Sequence, residues 1–379
     1  MFTEESAKYF GKQTAATIEL IEELCKYPAP SGKEEQRAAF CKQWLEDHGA
    51  KDVYIDSACN VVYPVNCEGK KKLVLFCAHT DTVFPDTEPM PFINDGEYLH
   101  SPGVGDDTAC LAMLMQVAEY VTKENLSSDY GVVFVANACE EGLGNLKGTR
   151  QIMEDLGDKV VEFYTFDATY NHIFNRIVGS ERYKITMKTP GGHSFYDFGN
   201  QNAIVAVSQL ITELYKLEVP QVPGCKTTYN VGIIQGGHSV NTIAEEASFL
   251  YEYRSDDYKS LATMREQFRK VLESFQATNP ATITLETVGI RPCGNLKDTT
   301  RLEEMAKRAI QITEKHTGQT CIAESASTDC NIPMSMGIPA ICVGSYMGQG
   351  AHTKDEKIRI DSLDKGLKIV AETILDFFH

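Results

Sequence analysis

Histidines and acidic residues follow short apolar runs at several points of this chain, and both are types that bind metals. The set comprises His79 and Asp81 after 73–78, Asp106 ahead of a helical pattern, Glu140 and Glu141 after 131–138, Asp167 after 162–166, and His352 after 340–343. Imidazole and carboxylate groups favour Zn²⁺, with Mn²⁺ or Co²⁺ as alternatives. Five such groups, one carboxylate being shared, can hold two ions about 3.5 to 4 Å apart with a bridging water.

The spacing of His79 and Asp81 is a second indication of a metal site. On an extended chain residues i and i+2 face the same way, so the Asp81 carboxylate can accept an imidazole N–H of His79. The other ring nitrogen is then available to a metal. Taken alone, the same pair can also be a solvated pair at the end of a strand.

The other candidates have simple interpretations too. Asp106 can cap the helix that begins near Thr108, Glu140 and Glu141 can form an exposed acidic turn, and His352 can lie on a glycine-rich surface loop. These separate interpretations do not explain why all the residues fall at one predicted sheet edge, where ligands collect in open α/β sheets. The combination favours a two-metal site.

The elements that must position these residues alternate between strands and helices. Strands are predicted at 53–55, 61–65, 73–78, 131–138, 162–166 and 340–343, and helices at 15–25, 34–48, 108–122, 149–156 and 300–316. Several of these strands are apolar on both faces, which is typical of a sheet covered by helices on both sides. The sequence therefore predicts an α/β fold, an α/β/α sandwich.

A different pattern interrupts this domain. Between residues 183 and 287 the predicted order is β, α, β, β, α, β, which is that of a ferredoxin-like unit. We therefore expect two domains. A discontinuous domain of residues 1–179 and 292–379 carries the metal-ligand candidates, and a domain of residues 180–291 is inserted into it.

The composition excludes several classes of partner. The chain has 379 residues, with 36 Lys and Arg against 53 Asp and Glu, so its formal net charge of -17 repels nucleic acid and anionic membranes. No apolar run reaches the roughly 18 residues of a membrane span, and the first residues lack a signal-peptide pattern. The 12 cysteines, without a CxxC pair, are typical of thiols in a reducing compartment. We expect a cytoplasmic protein.

The ordered motifs resemble those of the M20 metallopeptidases over essentially the whole chain. The matching motifs are His79-Thr-Asp81, Gly105-Asp106-Asp107, Glu140-Glu141-Gly142, Asp167 and His352. The resemblance implies a zinc-peptidase-like catalytic domain with two divalent metal ions. It also implies the following roles: His79 and Asp167 bind one metal, Glu141 and His352 the other, Asp106 bridges them, Glu140 is the general base, Asp81 orients His79, and the peptide bond between Asp106 and Asp107 is cis.

Motifs in the inserted domain extend the resemblance. The segment that ends in Gly-Gly-His193 resembles the motif whose histidine supports the oxyanion in the active site of the partner subunit, and Asn241 and Arg254 resemble substrate-binding residues. The resemblance therefore implies a homodimer in which the insert is a dimerisation and lid domain. Two positions depart from the family pattern, since Thr108 stands where one branch has lysine and His238 stands where small or hydroxyl residues are more usual.

The resemblance also indicates a substrate class. In this family, aspartate at the position of Asp167 is associated mostly with amino- and dipeptidases, so we expect a di- or tripeptide aminopeptidase. The alternatives are an N-acyl amino acid amidohydrolase, which would take N-substituted amino acids, and a carboxypeptidase. An alternative of another class is a catalytically silent dimer that binds peptides, and the complete set of ligands and base argues against it.

Overall fold

The computed structural model describes residues 2–379, which divide into two compact units. The first unit comprises the residues up to Ile177 together with Asn295–His379, and the second is Val178–Gly294. Among the helices between Phe2 and His379, none combines the length and the apolar character that crossing a bilayer requires.

Ten α-helices lie between Phe2 and His379, and three of them begin with a polar side chain that accepts one of their first N–H groups. The α-helices are α1 (Glu4–Phe10), α2 (Thr14–Cys25), α3 (Glu35–Asp47), α4 (Cys110–Lys123), α5 (Lys147–Leu156), α6 (Ala203–Leu214), α7 (Tyr258–Thr278), α8 (Thr300–Thr317), α9 (Asn331–Ser335) and α10 (Ile360–Leu375). The side chains of Thr3, Asn202 and Asp257 accept N–H groups at the starts of α1, α6 and α7.

The strands of the two units are short on average, as expected for an α/β chain. They are β1 (Tyr54–Ile55), β2 (Val61–Val65), β3 (Leu73–His79), β4 (Ile93–Asn94), β5 (Tyr98–His100), β6 (Gly131–Asn137), β7 (Val160–Phe166), β8 (His172–Ile177), β9 (Gly179–Lys188), β10 (Gly192–His193), β11 (Thr227–Gly236), β12 (Thr242–Ile243), β13 (Glu246–Ser255), β14 (Thr282–Arg291), β15 (Ile322–Ala326), β16 (Ala340–Val343), β17 (Gly348–Gln349) and β18 (Lys357–Arg359).

The first unit is built on a mixed sheet of eight strands. Their order is β1-β2-β6-β3-β7-β16-β8-β15. The four central strands β6, β3, β7 and β16 run parallel to one another, whereas β2 and β8 pair with them in the antiparallel sense. Because the four central strands are parallel, their carboxyl ends meet at one edge of the sheet.

Helices cover both faces of this sheet. On strand β3, Val74 and Phe76 pack in a core shared with α4 and α10. Leu75 and Cys77, which point to the opposite face, pack in a core shared with α5 and α9. The whole strand is buried. The predicted α/β fold with helices on both faces is confirmed.

A second small sheet in this unit brings distant segments of the chain together. Its strand order is β17-β18-β5-β4. Strand β18 pairs with β5, so that Lys357 lies opposite His100 and Ile358 opposite Leu99. The segment after β17 is therefore held beside the loop that follows β5.

The second unit contains an antiparallel sheet with two helices on one face. The strand order is β11-β13-β9-β14. Apolar side chains of α6 and α7, such as Leu210 and Phe268, pack with Ile185, Phe249 and Tyr251 of the sheet. In chain order the main elements are β9, α6, β11, β13, α7 and β14, which is the predicted ferredoxin-like arrangement.

Candidate metal centre

The ends of three parallel strands bring most of the predicted ligands to one edge of the large sheet. Strand β3 ends at His79, Glu140 and Glu141 come shortly after the end of β6, and Asp167 follows the last residue of β7. Of the other two predicted ligands, Asp106 lies between β5 and α4, and His352 lies in the loop between β17 and β18. The structure thus places all five predicted ligands in the first unit, and their contacts are described below.

Asp106 lies between the two histidines. Its Oδ1 atom is 3.0 Å from Nε2 of His79, and its Oδ2 atom is 3.0 Å from Nε2 of His352. The same nitrogen of His352 is 3.1 Å from Oε1 of Glu141. The peptide bond between Asp106 and Asp107 is cis. One carboxylate that faces two imidazoles through different oxygens is the arrangement expected of a bridging ligand.

The electrostatics of the site depend on these short contacts. Burial opposes ionisation of Asp106, but its contacts with His352 and His79 hold the pKa of its carboxyl well below the usual range. The hydrogen bonds of His352 with Asp106 and Glu141 raise its pKa to about 11. Burial alone would lower the pKa of His79, but the carboxylates of Asp107, Asp106 and Asp81 raise it well above its ordinary value. The centre therefore attracts cations strongly.

Asp167 and Asp107 complete one side of the centre. Ligand atoms of His79, Asp107 and Asp167 all lie within 4.8 Å of one another. Burial, together with Asp106 and other nearby carboxylates, raises the pKa of Asp167 to about 7. Asp107 was not among the predicted ligands, yet it is fully buried and its Oδ1 atom has no hydrogen-bond partner in the described part of the chain. Asp107 is thus a further candidate ligand.

Glu140 and Glu141 both face the same centre. Ligand atoms of His79, Glu140 and Glu141 lie within 4.8 Å of one another, as do those of Asp106, Glu141 and His352. Both glutamates are buried. Among the described residues, the group of His79, Glu140 and Glu141 has His79 in common with the group that contains Asp167, and it has Glu141 in common with the group that contains His352. The three groups therefore form one continuous cluster of carboxylates and imidazoles.

Asp81 contacts His79 and also supports the opposite side of the cluster. The Nδ1 atom of His79 donates to the backbone oxygen of Asp81 at 3.0 Å, whereas it lies 3.4 Å from the carboxylate. The carboxylate also accepts the backbone N–H groups of Glu140 and Glu141, at 2.9 and 3.0 Å, and the hydroxyl of Ser31 at 2.6 Å. Burial would raise the pKa of Asp81, but its contact with His79 and these hydrogen bonds keep it below its ordinary value. Asp81 thus fixes both sides of the cluster.

Glu356 is a supporting residue that the sequence analysis missed. Its buried carboxylate accepts the backbone N–H of Gly103 at 2.7 Å and those of Gly105 and Asp106 at 2.9 Å each. Burial raises the pKa of Glu356 to about 7. It holds the loop that carries Asp106, and no local pattern separates it from its exposed neighbour Asp355, because the groups it binds lie some 250 positions earlier.

A second missed carboxylate, Asp329, lies fully buried behind the cluster. It accepts the side-chain N–H of Asn137, the last residue of β6, at 2.7 Å, and it accepts the hydroxyl of Thr149 on α5. Burial raises its pKa. Asp329 therefore anchors the end of the strand that leads to Glu140 and Glu141.

The three predicted residues of the insert lie in the second unit. The backbone N–H of Ser194 donates to the oxygen of Asn241 at 3.0 Å, so His193 and Asn241 are neighbours across the pair of strands β10 and β12. Both side chains are exposed. Arg254 lies on β13 and forms two hydrogen bonds with Glu252, at 2.9 and 3.0 Å. His193 and Asn241 are thus brought together by the fold of the insert, whereas Arg254 lies near the other end of β13, opposite Ser180 and Thr228.

Comparison with known proteins shows one matching family and several similar folds. The model of peptidase family M20/M25/M40 matches residues 75–376. A putative succinyl-diaminopimelate desuccinylase of Mycobacterium tuberculosis is 24% identical over 361 residues, which cover 93% of this chain and 96% of that protein. A tripeptidase structure from Staphylococcus aureus has a TM-score of 0.75 at 22% identity and covers 95% of this chain and 98% of that one. A dinuclear metal-binding M20 peptidase from Bacillus subtilis has a TM-score of 0.65 at 16% identity, with coverage of 98% and 99%.

The chain belongs to peptidase family M20/M25/M40, because the family model matches most of its length. It is a hydrolytic enzyme, a peptidase or an amidohydrolase of this family. The predicted membership is confirmed, and so is the prediction of an enzyme.

Proposed function

We propose that this enzyme is a two-metal aminopeptidase that cleaves the amide bond of di- or tripeptides. The observation that carries the proposal is the position of Asp106 between His79 and His352, with Glu141 and Asp167 completing the two sides. For a member of this family, these metal-binding side chains fit metal-assisted hydrolysis better than they fit peptide binding without catalysis.

The donor chemistry fits two divalent ions. His79 with Asp167 would hold one ion, Glu141 with His352 would hold the other, and Asp106 would bridge them. Two imidazoles favour Zn²⁺, and the carboxylates also suit Mn²⁺ or Co²⁺. When bound, the ions would supply an acidified water and polarise the scissile carbonyl.

The residues of the chain would move and place the protons. Glu140 is the candidate general base, because its carboxylate lies within 4.8 Å of the ligand atoms of His79 and Glu141. It would take a proton from the attacking water and deliver it to the leaving amine nitrogen. Asp81 would keep Glu140 in place through the hydrogen bond from the Glu140 N–H.

His193 is the candidate donor to the developing oxyanion. Its Nδ1 atom accepts the backbone N–H groups of Phe195 and Tyr196, at 3.2 and 3.4 Å, which requires the ring proton to be on Nε2. The side chain is exposed, so this N–H can donate to a substrate. We propose that it serves the site of a partner subunit, since every candidate ligand lies in the other unit of the chain.

The proposed homodimer is supported by the edge of the inserted sheet. Strand β11 is an edge strand, and its residues Ile233 and Ile234 are half exposed. On the neighbouring helix α6, Ile204 and Val205 are exposed as well. Pairing of two copies here would cover apolar side chains and unpaired backbone groups in an isologous contact.

Asn241 and Arg254 would bind the substrate carboxylate. The side-chain oxygen of Asn241 accepts the hydroxyl of Ser239 at 2.7 Å, which leaves the amide nitrogen as a donor. The hydrogen bonds of Arg254 with Glu252 fix the orientation of its guanidinium group. The guanidinium would then bind a substrate carboxylate through charge-assisted hydrogen bonds.

An N-acyl amino acid amidohydrolase is the second candidate. The observation that favours it is that relatives carry such names: besides the desuccinylase, an N-acetyldiaminopimelate deacetylase of Leuconostoc citreum is 30% identical over 120 residues, 31% of each chain. The chemistry would be the same, with an acyl group in place of the amino-terminal residue. A carboxypeptidase remains a further alternative. We also retain the cytoplasm as the proposed compartment, which buried thiols such as Cys77 and Cys342 support.

The substrate test compares trialanine and dialanine with N-acetyl- and N-succinyl-alanine in the presence of Zn²⁺, Mn²⁺ or Co²⁺. We expect the peptides to be cleaved from the amino end with the higher kcat/KM. Faster cleavage of the acylated amino acids would replace the first candidate by the second.

The dimer test uses complementation between two inactive variants. His193→Ala should lower turnover by roughly 10²-fold or more with little change in bound metal, as loss of an oxyanion donor does. Mixing it with Glu140→Ala under conditions of subunit exchange should restore activity, because one site of the mixed dimer has both residues. If tagged mixed dimers form but stay as inactive as their parents, His193 acts within its own chain or has no role in catalysis.

A further inference from the structure

Three aromatic side chains next to His193 are almost completely exposed. Phe195 is 78% exposed, Tyr196 82% and Phe198 90%. Large aromatic side chains are usually buried, and neighbouring ones that remain in solvent mark contact sites. The mechanism described above does not use these rings.

The loop that carries the rings is held in one conformation. The N–H of His193 donates to Oδ2 of Asp197 at 2.6 Å, and the N–H of Asp197 donates back to the oxygen of His193 at 2.9 Å. Gly192 has a φ of 131°, and a Cβ at this position would lie 2.7 Å from Oδ2 of Asp197. The exposure of the rings is therefore imposed by a compact turn.

One of the rings, that of Tyr196, lies beside the imidazole of His193. The centroid of the Tyr196 ring is 4.8 Å from that of His193, and the Phe195 ring stands perpendicular to Tyr196 with centroids 5.5 Å apart. Because Nδ1 of His193 is bound to the loop backbone, its outward donor is Nε2. A group that accepts a hydrogen bond from Nε2 would therefore lie close to the rings of Tyr196 and Phe195.

We propose that Phe195 and Phe198 bind a large apolar side chain next to the scissile amide, so that the enzyme prefers substrates with such a residue. This inference rests on the proposed role of His193. The rings carry no charge, and the one carboxylate of the loop that contacts His193, that of Asp197, is used to hold the turn. An uncharged side chain is therefore the matching occupant.

The size of the aromatic surface also fits a side chain. Three aromatic residues offer roughly 450–750 Å² at 150–250 Å² each, which is less than the ~800 Å² that each partner buries in a typical stable interface. A phenylalanine or leucine side chain can be covered by one or two of these rings. Apolar pockets discriminate between side chains by roughly 10- to 100-fold.

The test measures kcat/KM for triglycine, Phe-Gly-Gly and Gly-Phe-Gly. We expect kcat/KM for one of the two phenylalanine peptides to exceed that for triglycine by roughly 10- to 100-fold. The double variant F195A/F198A should reduce this ratio toward one, mainly by raising KM for the phenylalanine peptide. Tyr196 is left in place because it contacts His193. The matched control is Tyr258→Ala, a half-exposed tyrosine at the start of α7, which should keep the wild-type ratio.

Three results would overturn the inference. The double variant could keep the wild-type ratio, it could lose triglycine turnover to the same extent, or it could become monomeric in light scattering, which would assign the rings to a subunit contact. N-acetyl-phenylalanine and N-acetyl-glycine are a second pair of substrates, for which the ratio of kcat/KM is measured in the same way. If only the acetylated pair is cleaved, the peptidase proposal fails while their ratio still tests the role of the rings. If neither the peptides nor the acetylated amino acids are cleaved, the proposed function and the inference about the rings are both contradicted.

Discussion

Replacing Glu356 tests whether the loop of Asp106 is held by one buried carboxylate. In Glu356→Ala the N–H groups of Gly103, Gly105 and Asp106 lose their acceptor. A buried donor without a partner costs about 1–3 kcal/mol, so three donors, partly compensated by water, should cost on the order of 3–6 kcal/mol. Glu356→Gln keeps one acceptor oxygen and should lose less than Glu356→Ala.

The assay is urea unfolding of protein dialysed against a chelator, followed by measurement of metal affinity. We expect a lower free energy of unfolding and a roughly 10- to 100-fold weaker metal affinity, since residues behind a ligand commonly have effects of that size. Asp355→Ala, which changes the exposed neighbour, is the control and should behave like the wild type. If Glu356→Ala matches this control in both measurements, Glu356 does not hold the loop.

Three further predictions concern the base, the pH and the packing. Glu140→Gln should bind two metal ions but lose at least roughly 10²- to 10⁴-fold in turnover, and near-normal rates would show that Glu140 is not the base. Without metal, the protonated forms of Asp167 (pKa about 7, facing Asp106, Glu141, Asp329 and His79) and His352 (pKa about 11, facing Asp106 and Glu141) are favoured in the folded state. The stabilisation of the folded state by protonated Asp167 is lost as the pH rises through about 4–7, and that by protonated His352 is lost as it rises through about 6.5–11. Because Mn²⁺ competes with these protons, it should raise Tm more at pH 8 than at pH 5 in a thermal melt, and an equal shift would contradict this. Gly366→Ala should destabilise by roughly 1–3 kcal/mol or more in urea, because its Cβ would lie 1.5 Å from the oxygen of Ser345, whereas Gly232→Ala, with its nearest atom at 3.6 Å, should cost little.

The strands that carry the site were predictable because of their burial. Strands β3, β6 and β16 are buried along their whole length, so the sequence contains uninterrupted apolar runs that end just before polar residues. Strands β8 and β15 were missed. They lie at one side of the sheet, their residues are mostly partly exposed, and they show no clear apolar period.

The insert was predictable for a related reason. Its strand β13 alternates between buried and partly exposed residues, and one face of its sheet is covered by α6 and α7. The start of β9 was placed four residues too late, at 183 instead of Gly179, because the polar residues Ser180–Arg182 pair with β13 without an apolar pattern.

The supporting residues of the site could not be found from local patterns. Glu356 and Asp329 act on groups that are distant in sequence, and single acidic residues are common on any surface. The resemblance assigned the bridging role to Asp106, but no sequence pattern indicated that Asp107 is buried next to His79 as well. The carboxylate of Asp81 lies 3.4 Å from Nδ1 of His79, and it also accepts the backbone N–H groups of Glu140 and Glu141, which no local pattern in the sequence indicates.

The most direct test of the two-metal hydrolase is turnover of trialanine measured against the number of metal ions bound per chain. Metal-free protein is titrated with Zn²⁺ or Mn²⁺, and bound metal is counted by mass spectrometry in the same samples. We predict no turnover without metal and a maximum when two ions are bound per chain. Full turnover without metal, or two bound ions with no hydrolysis of any peptide or acylated amino acid, would contradict the proposed function.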